Sequence, residues 1–292
     1  MNETIFTIGG AALEIYGYPQ DLCQLRDSNP GKLTITVGGA AKKVAAHLVR
    51  YGLKPELVTA LGNDARADII LKDCALAGIG TGHVFRTEGS SPAYMCTFDR
   101  DRDLLCGISD MDAFSALTPE ALEPLLPAIN GTALCLADSN LTEECLGYLA
   151  SHLTVPMVYE PVSLAKAKRI GKALPEVSIL RANRFEAGLL SGCSCDTVRG
   201  TLRAAEALLK AGVRYSYISL GSDGIVYCAE EDMGHIPAEE LEPVNKAGAG
   251  EALSAAVIKA ILDGKSVAEC AAFGNSEAAK YCRGEYRPAT CF

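Results

Sequence analysis

Strand-type runs alternate with helical segments along most of this chain, and that rhythm leaves few architectures open. Ile5-Phe6-Thr7-Ile8 is a β-type run ending in Gly9-Gly10, and Leu33 to Val37 ends in Gly38-Gly39. Ala40 to Leu53 then has helical period, with Val44, Leu48 and Val49 on its apolar side. Leu57 to Leu61 leads to a helix predicted from Asp64 to Ala77 and closed by Gly78. After Thr118-Pro119-Glu120, a helix start, strands are predicted at Ala133 to Ala137, Val155 to Tyr159, Val177 to Leu180 and Tyr215 to Leu220. Helices beginning at Thr142, Ser163, Arg184 and Val198 separate them. Repeated strand–helix units of this kind predict a mainly parallel central sheet with helices on both faces.

The rhythm breaks between about Thr81 and Ile108, where no helix intervenes. Ala93 to Phe98 and Leu104 to Ile108 are short β runs around the charged turn Asp99-Arg100-Asp101-Arg102-Asp103. With strand 33 to 37 they predict a small β-sheet lid at one edge, formed by about 14-37 and 81-110. The 292 residues hold no internal repeat and no low-complexity linker, so 1-292 reads as a single α/β domain. A hydrophobic content of 49% suffices for a full core. A net charge of -9 argues against a nucleic-acid polymer as partner, since such affinity rests on clustered Lys and Arg. No apolar run is long enough to span a bilayer, and Met1-Asn2-Glu3-Thr4 lacks the marks of a signal peptide, so no membrane partner and a cytoplasmic location are expected. The 12 cysteines are scattered through apolar segments, as buried small hydrophobes would be in a reducing compartment. Cys193 and Cys195 form the one close pair, and no histidine stands at metal-ligand spacing from it.

The stretch Pro243-Val244-Asn245-Lys246-Ala247-Gly248-Ala249-Gly250-Glu251-Ala252 carries the most chemistry. A small-residue turn here delivers a carboxylate to the first turn of a helix. Backbone N–H groups at such a helix start can hold a phosphoryl group in transit while the carboxylate takes a proton from an attacking hydroxyl. A plainer reading, a glycine-rich helix start with an acid complementing the helix dipole, fits the isolated segment equally well.

The companion segments decide between them. Gly248-Ala249-Gly250-Glu251 resembles the GAGD signature of the PfkB or ribokinase-like sugar and nucleoside kinases. Gly38-Gly39-Ala40-Ala41-Lys42-Lys43-Val44-Ala45 resembles that family's GG-x-x-x-N-x-A helix start, and Leu61-Gly62-Asn63-Asp64 with Gly78-Ile79 its G-x-D and G-I segment. Asn183-Arg184-Phe185-Glu186 resembles its N-x-x-E, and Leu220-Gly221-Ser222-Asp223-Gly224 its G-x-x-G nucleotide turn. The order is the family's, over nearly the whole chain. Asp27 to Lys32, Ile108 to Asp112, Ala137 to Glu144 and Glu160 to Ser163 are similar to stretches that mark the pseudouridine branch of the family.

The resemblance implies a ribokinase-like fold and transfer of the ATP γ-phosphate to a primary hydroxyl of pseudouridine or a related nucleoside or sugar. It implies Glu251 as general base, with Gly248, Ala249 and Gly250 forming an anion hole. It places ATP with Mg²⁺ across Asn183, Glu186, Gly221, Gly224 and Asn275, with Glu186 acting on the metal through water. Glu14, Gly38, Gly39, Lys43 and Asp138 would line the acceptor pocket, joined by Ser28, Met111 and Asn140. A lid that closes over that pocket, a monovalent cation and a homodimer through the lid strands are implied in the same way.

Four residues depart from the pattern: Glu14, Glu160 and Glu251 replace aspartates, and Lys43 replaces an asparagine, while Lys246 and Ala247 alter the approach to the anion hole. An added methylene moves a carboxylate by about 1 Å, and a displacement of that size can cost on the order of 10²-fold in rate. Lys43 would either pair with Glu14 or Glu251 inside the pocket, or meet an anionic substrate. The competing function is therefore a catalytically inactive ligand-binding or regulatory paralogue. A dinucleotide-binding oxidoreductase is set aside, because Gly9-Gly10 lacks the spaced glycines of that fingerprint.

Overall fold

The computed structural model describes residues 3–100, 103–242, 244 and 247–290. Asp101 and Arg102 of the charged turn, and Pro243, Asn245 and Lys246 ahead of the glycine turn, lie outside the described residues.

A nine-stranded sheet forms the centre of the molecule. Its strands are β1 (Thr4–Ile8), β4 (Lys54–Leu61), β5 (Gly80–Arg86), β8 (Cys135–Asp138), β9 (Met157–Glu160), β10 (Ile179–Asn183), β11 (Tyr215–Ser219), β12 (Ile225–Cys228) and β13 (Met233–Ile236), in the order β13-β12-β11-β10-β9-β8-β1-β4-β5. From β11 to β5 every neighbouring pair is parallel, and β12 and β13 add an antiparallel edge. A separate four-stranded sheet holds β2 (Ala12–Pro19), β3 (Gly31–Gly38), β6 (Ala93–Phe98) and β7 (Leu104–Asp110), ordered β3-β2-β6-β7.

Both faces of the large sheet are covered, because successive strand residues point to opposite sides. Ile5, Leu57, Ile179 and Tyr217 pack under α1 (Ala40–Arg50), α2 (Ala65–Leu76), α9 (Ala249–Leu262) and α10 (Val267–Cys282). Their chain neighbours Phe6, Val58, Leu180 and Ile218 pack with α5 (Glu143–His152), α7 (Arg184–Ser191) and α8 (Val198–Lys210) on the other face. The short helices α3 (Pro119–Leu122), α4 (Leu126–Asn130) and α6 (Leu164–Ala167) complete the cover. Among the described residues no helix is long and apolar enough to cross a membrane.

Several element boundaries differ from those read in the sequence. α1 stops at Arg50 rather than Leu53, because Gly52 turns the chain at φ 76° and the Leu53 N–H bonds back to the Leu48 carbonyl. The helix expected from Ser163 is only α6, followed by 3-10 turns that a kink at Gly171 and Pro175 keep from becoming one helix. β5 falls in the 81-110 range assigned to the lid, yet it pairs with β4 as the edge of the large sheet, so only β6 and β7 of that range belong to the small one. β2 passed unrecognised and is an inner strand of the small sheet, bonded to β3 on one side and β6 on the other.

Candidate active site

Two adjoining clefts open where the parallel strands end, as ligand sites in such sheets do. The first, about 540 Å³, is lined by Ser219 at the end of β11, by Gly221 and Gly224 of the next turn, and by Asn275 of α10. The second, about 490 Å³, is lined by Gly10 after β1, Asn140 after β8, Glu160 of β9, Asn183 of β10 and Glu14 and Tyr94 of the small sheet. The start of α9 stands between them: Ala249 and Gly250 face the first cleft and Glu251 the second. Gly248 is the N-cap at φ 95°, and among the described residues no side chain caps the helix, so its first N–H groups are left for another acceptor.

The second cleft holds an internal ion pair. Lys43 Nζ donates to both Glu14 carboxylate oxygens at 3.1 Å, and the Tyr16 hydroxyl donates to Oε2 of the same group. Burial opposes the Lys43 ammonium, but Glu14 and Glu251 outweigh it and its pKa lies above the usual lysine value. Burial, reinforced by Glu14, likewise raises the Tyr16 phenol. Of the two partners open to Lys43 from sequence, the structure selects Glu14. The pair does not fill the cleft, whose volume lies in the range of small-molecule sites. Gly38 sits behind the Glu14 carboxylate, where a Cβ would come 1.7 Å from Oε1, and Gly39 lines the cleft.

Asp138 has a different place from the one expected. It is fully buried and does not line the second cleft; Oδ2 accepts from the Gly10 and Ala41 N–H groups at 2.9 Å and Oδ1 from Asn140 N–H at 2.8 Å. It fastens the loop after β1, the start of α1 and the turn after β8. Burial pushes its carboxyl upward in pKa against these three donors. Ser28 is exposed and outside the cleft, whereas Met111 and Asn140 line it.

Asn183 and Glu186 are divided from the other expected nucleotide residues: they line the second cleft, with Gly221, Gly224 and Asn275 in the first. The two form a capping box, the Asn183 side chain accepting from Phe185 and Glu186 N–H and Glu186 Oε2 accepting from Asn183 N–H. That leaves Glu186 Oε1 without a partner among the described residues, although the side chain is buried. A Mg²⁺ ion brought in on phosphate oxygens needs only one or two carboxylates, often through water, and such an oxygen suits it. Among the described residues no three His, Cys, Asp or Glu side chains form a metal cluster of their own. Gly224 allows a close backbone approach at the edge of the first cleft: its φ is 92°, and a Cβ there would meet the Ile236 carbonyl oxygen at 2.0 Å. Asn275 Nδ2 donates to the Pro237 carbonyl and so braces the far wall.

Two cations escaped the sequence reading. Lys166 Nζ donates to Asn140 Oδ1 at 2.6 Å and fixes that amide at the second cleft. Arg181, in β10, lines both clefts, and its available signal was a charged residue inside the otherwise apolar run Ile179-Leu180-Arg181-Ala182. Its Nη1 lies 3.4 Å from Glu160 Oε2, while the Ser254 hydroxyl donates to Oε1 of the same buried carboxyl. Burial, against the pull of Arg181, pushes Glu160 up to about 8.

Comparison with known proteins gives one consistent grouping. The family model described as pfkB family carbohydrate kinase matches residues 2–286. The pseudouridine kinase of Escherichia coli (strain K12) is 28% identical over 291 residues, 98% of this chain and 93% of that protein. The solved structure of a carbohydrate kinase from Agrobacterium tumefaciens superposes with a TM-score of 0.85 at 26% identity, covering 98% of this chain and 92% of that one. Arabidopsis thaliana ribokinase, solved with ribose and ATP, gives a TM-score of 0.88 at 20% identity over 99% and 95% of the two chains, which shares the ribokinase-like fold.

Proposed function

The chain belongs to the pfkB family of carbohydrate kinases, and on that premise we propose that it transfers the ATP γ-phosphate to a primary hydroxyl of pseudouridine or a related nucleoside or sugar. One observation carries this reading: the uncapped start of α9 presents Ala249 and Gly250 to one cleft and Glu251 to the other. In this reading ATP occupies the first cleft, along Gly221, Gly224 and Asn275, and the acceptor occupies the second. Glu251 takes the proton of the attacking hydroxyl, and the N–H groups of Ala249 and Gly250 stabilise charge on the phosphoryl oxygens. Mg²⁺ neutralises phosphate charge, held through water by Glu186, which its capping box keeps oriented. The Glu14–Lys43 pair offers an acceptor and donors side by side, a combination that serves a vicinal diol, and its neutrality disfavours an anionic acceptor.

The small sheet serves as the lid, with Glu14, Tyr94 and Ser109 turned to the acceptor cleft. Its other face offers a contact for a second copy of the chain. There Ile35, Ile15, Met95 and Ile108 stand in cross-strand register, and Met95 and Ile108 are 45% and 58% exposed.

The Glu14–Lys43 pair, already closed within the acceptor cleft, favours a second reading in which the nucleotide site persists and turnover is lost. Incubation with Mg²⁺ and ATP, and pseudouridine, uridine or ribose as acceptor, separates the two. Formation of ADP and a phosphorylated acceptor is the expected result. Nucleotide-dependent thermal stabilisation with no phosphorylated product from any acceptor would instead establish the non-catalytic paralogue.

A further inference from the structure

We propose that Arg181 is a further catalytic residue, a guanidinium that touches the phosphoryl group as it passes from the nucleotide cleft to the acceptor cleft. This rests on the kinase reading above and adds to it a group that the glycine turn does not supply.

The argument is one of position. A group transferred between the two clefts must cross the wall they share, and Arg181 is the residue that lines both. Its guanidinium lies directly against the start of α9: a Cβ on Gly250 would sit 1.9 Å from Nη2, so the glycine there makes room for the arginine. The same peptide carries one of the N–H groups left open by the missing helix cap. The side chain is 11% exposed, and among the described residues its Nε has no hydrogen-bond partner. Nη1 meets Glu160 Oε2 at 3.4 Å, a loose contact for a charged pair.

A buried guanidinium with an unused donor, set between carboxylates and a helix start, is stabilised once an anion reaches it. Guanidinium presents its donors in a planar fork that matches phosphoryl oxygens, and in a dry site it needs no reorganisation as charge develops there. Glu160, Glu186 and Glu251 surround it, which holds its charge in place while the site is empty. Arg181 therefore complements the α9 N–H groups from the opposite side of the crossing.

The test uses the full chain and three proteins: wild type, Arg181→Lys and Arg181→Met. Mg²⁺ and ADP are titrated by calorimetry with and without aluminium fluoride, a mimic of the phosphoryl group in flight, with pseudouridine present. Wild type is expected to bind ADP and to bind it more tightly with aluminium fluoride. Arg181→Met should bind ADP as wild type does and lose about 10²-fold of that tightening, with turnover falling in parallel and partly restored by free guanidinium ion. Arg181→Lys keeps the charge without the fork and should lose about tenfold, which settles the question even where the methionine variant fails to fold. Equal tightening in wild type and either folded variant overturns the role of Arg181 and leaves the kinase reading standing. A wild-type chain that binds no Mg²⁺ and ADP overturns both.

Discussion

His47 shows how a single residue sets a pH limit without taking part in any chemistry. It lies on α1, 2% exposed, with its Nδ1 unpartnered among the described residues and its ring edge-on to Tyr281 and Tyr286. Burial holds its pKa down to about 3; Arg50, Lys42 and Arg287 push the same way and Glu277 opposes them. A depressed histidine leaves stability intact above its unfolded value and erodes it as pH falls, because the unfolded chain takes up a proton that the folded one refuses. His47→Gln removes that titration. Urea denaturation should show wild type losing about 1–3 kcal/mol relative to the variant between pH 7 and pH 4. A constant difference across that range would mean that the ring is not buried and neutral. Glu160 works in the opposite sense: its raised pKa favours the fold at low pH and is a mild liability as pH rises towards 8. Glu251 is different again, since its importance lies in which cleft it faces.

At the scale of elements, Asp138 is the fastening behind the second cleft. Its two oxygens join the end of β1, the start of α1 and the turn after β8, segments up to 128 residues apart in the chain. Asp138→Ala would leave three buried N–H groups without acceptors, and a loss of about 3–5 kcal/mol in unfolding free energy is expected from denaturant titration. A loss below about 1 kcal/mol would show that water or a shifted loop replaces the carboxylate. The sequence could not reveal this, because an aspartate at a strand end reads the same whether it faces a substrate or the backbone of its neighbours. Most strands of the large sheet were legible: β1, β4, β8, β9, β10 and β11 all came from short apolar runs of period two or continuous character. β12 and β13 were not, since they form an antiparallel edge that breaks the alternation of strand and helix. The glycine turn and the Gly221 turn were legible for the converse reason, each being a local backbone device with a fixed residue requirement, whereas the Asn183–Glu186 capping box was not read from the sequence. Arg181 was hidden because its meaning lies in what crosses over it, the start of α9 nearly seventy residues later.

At the scale of the whole molecule, the outer face of the small sheet carries exposed apolar side chains in a row. Four apolar side chains in cross-strand register on a thin sheet would be covered well by a second copy, whose own row is self-complementary about a two-fold axis. Analytical ultracentrifugation at micromolar concentration is expected to give a dimer for wild type. Met95→Lys with Ile108→Lys should give a folded monomer, because both positions are exposed within a chain. Monomeric wild-type protein would remove the proposal. The order of the large sheet has a further consequence. β1 precedes both of its sheet neighbours in the chain but lies in the interior, with β4 on one side and β8 on the other. While residues up to about 130 are emerging, β1 can pair with β4 and keeps a bare edge towards the strand not yet made. The nascent chain thus displays an adhesive flank on β1 until Cys135–Asp138 arrives to close it. Pairing of that flank with another chain during the interval would divert molecules from the native fold, a loss that acts before the stability of the finished protein comes into play.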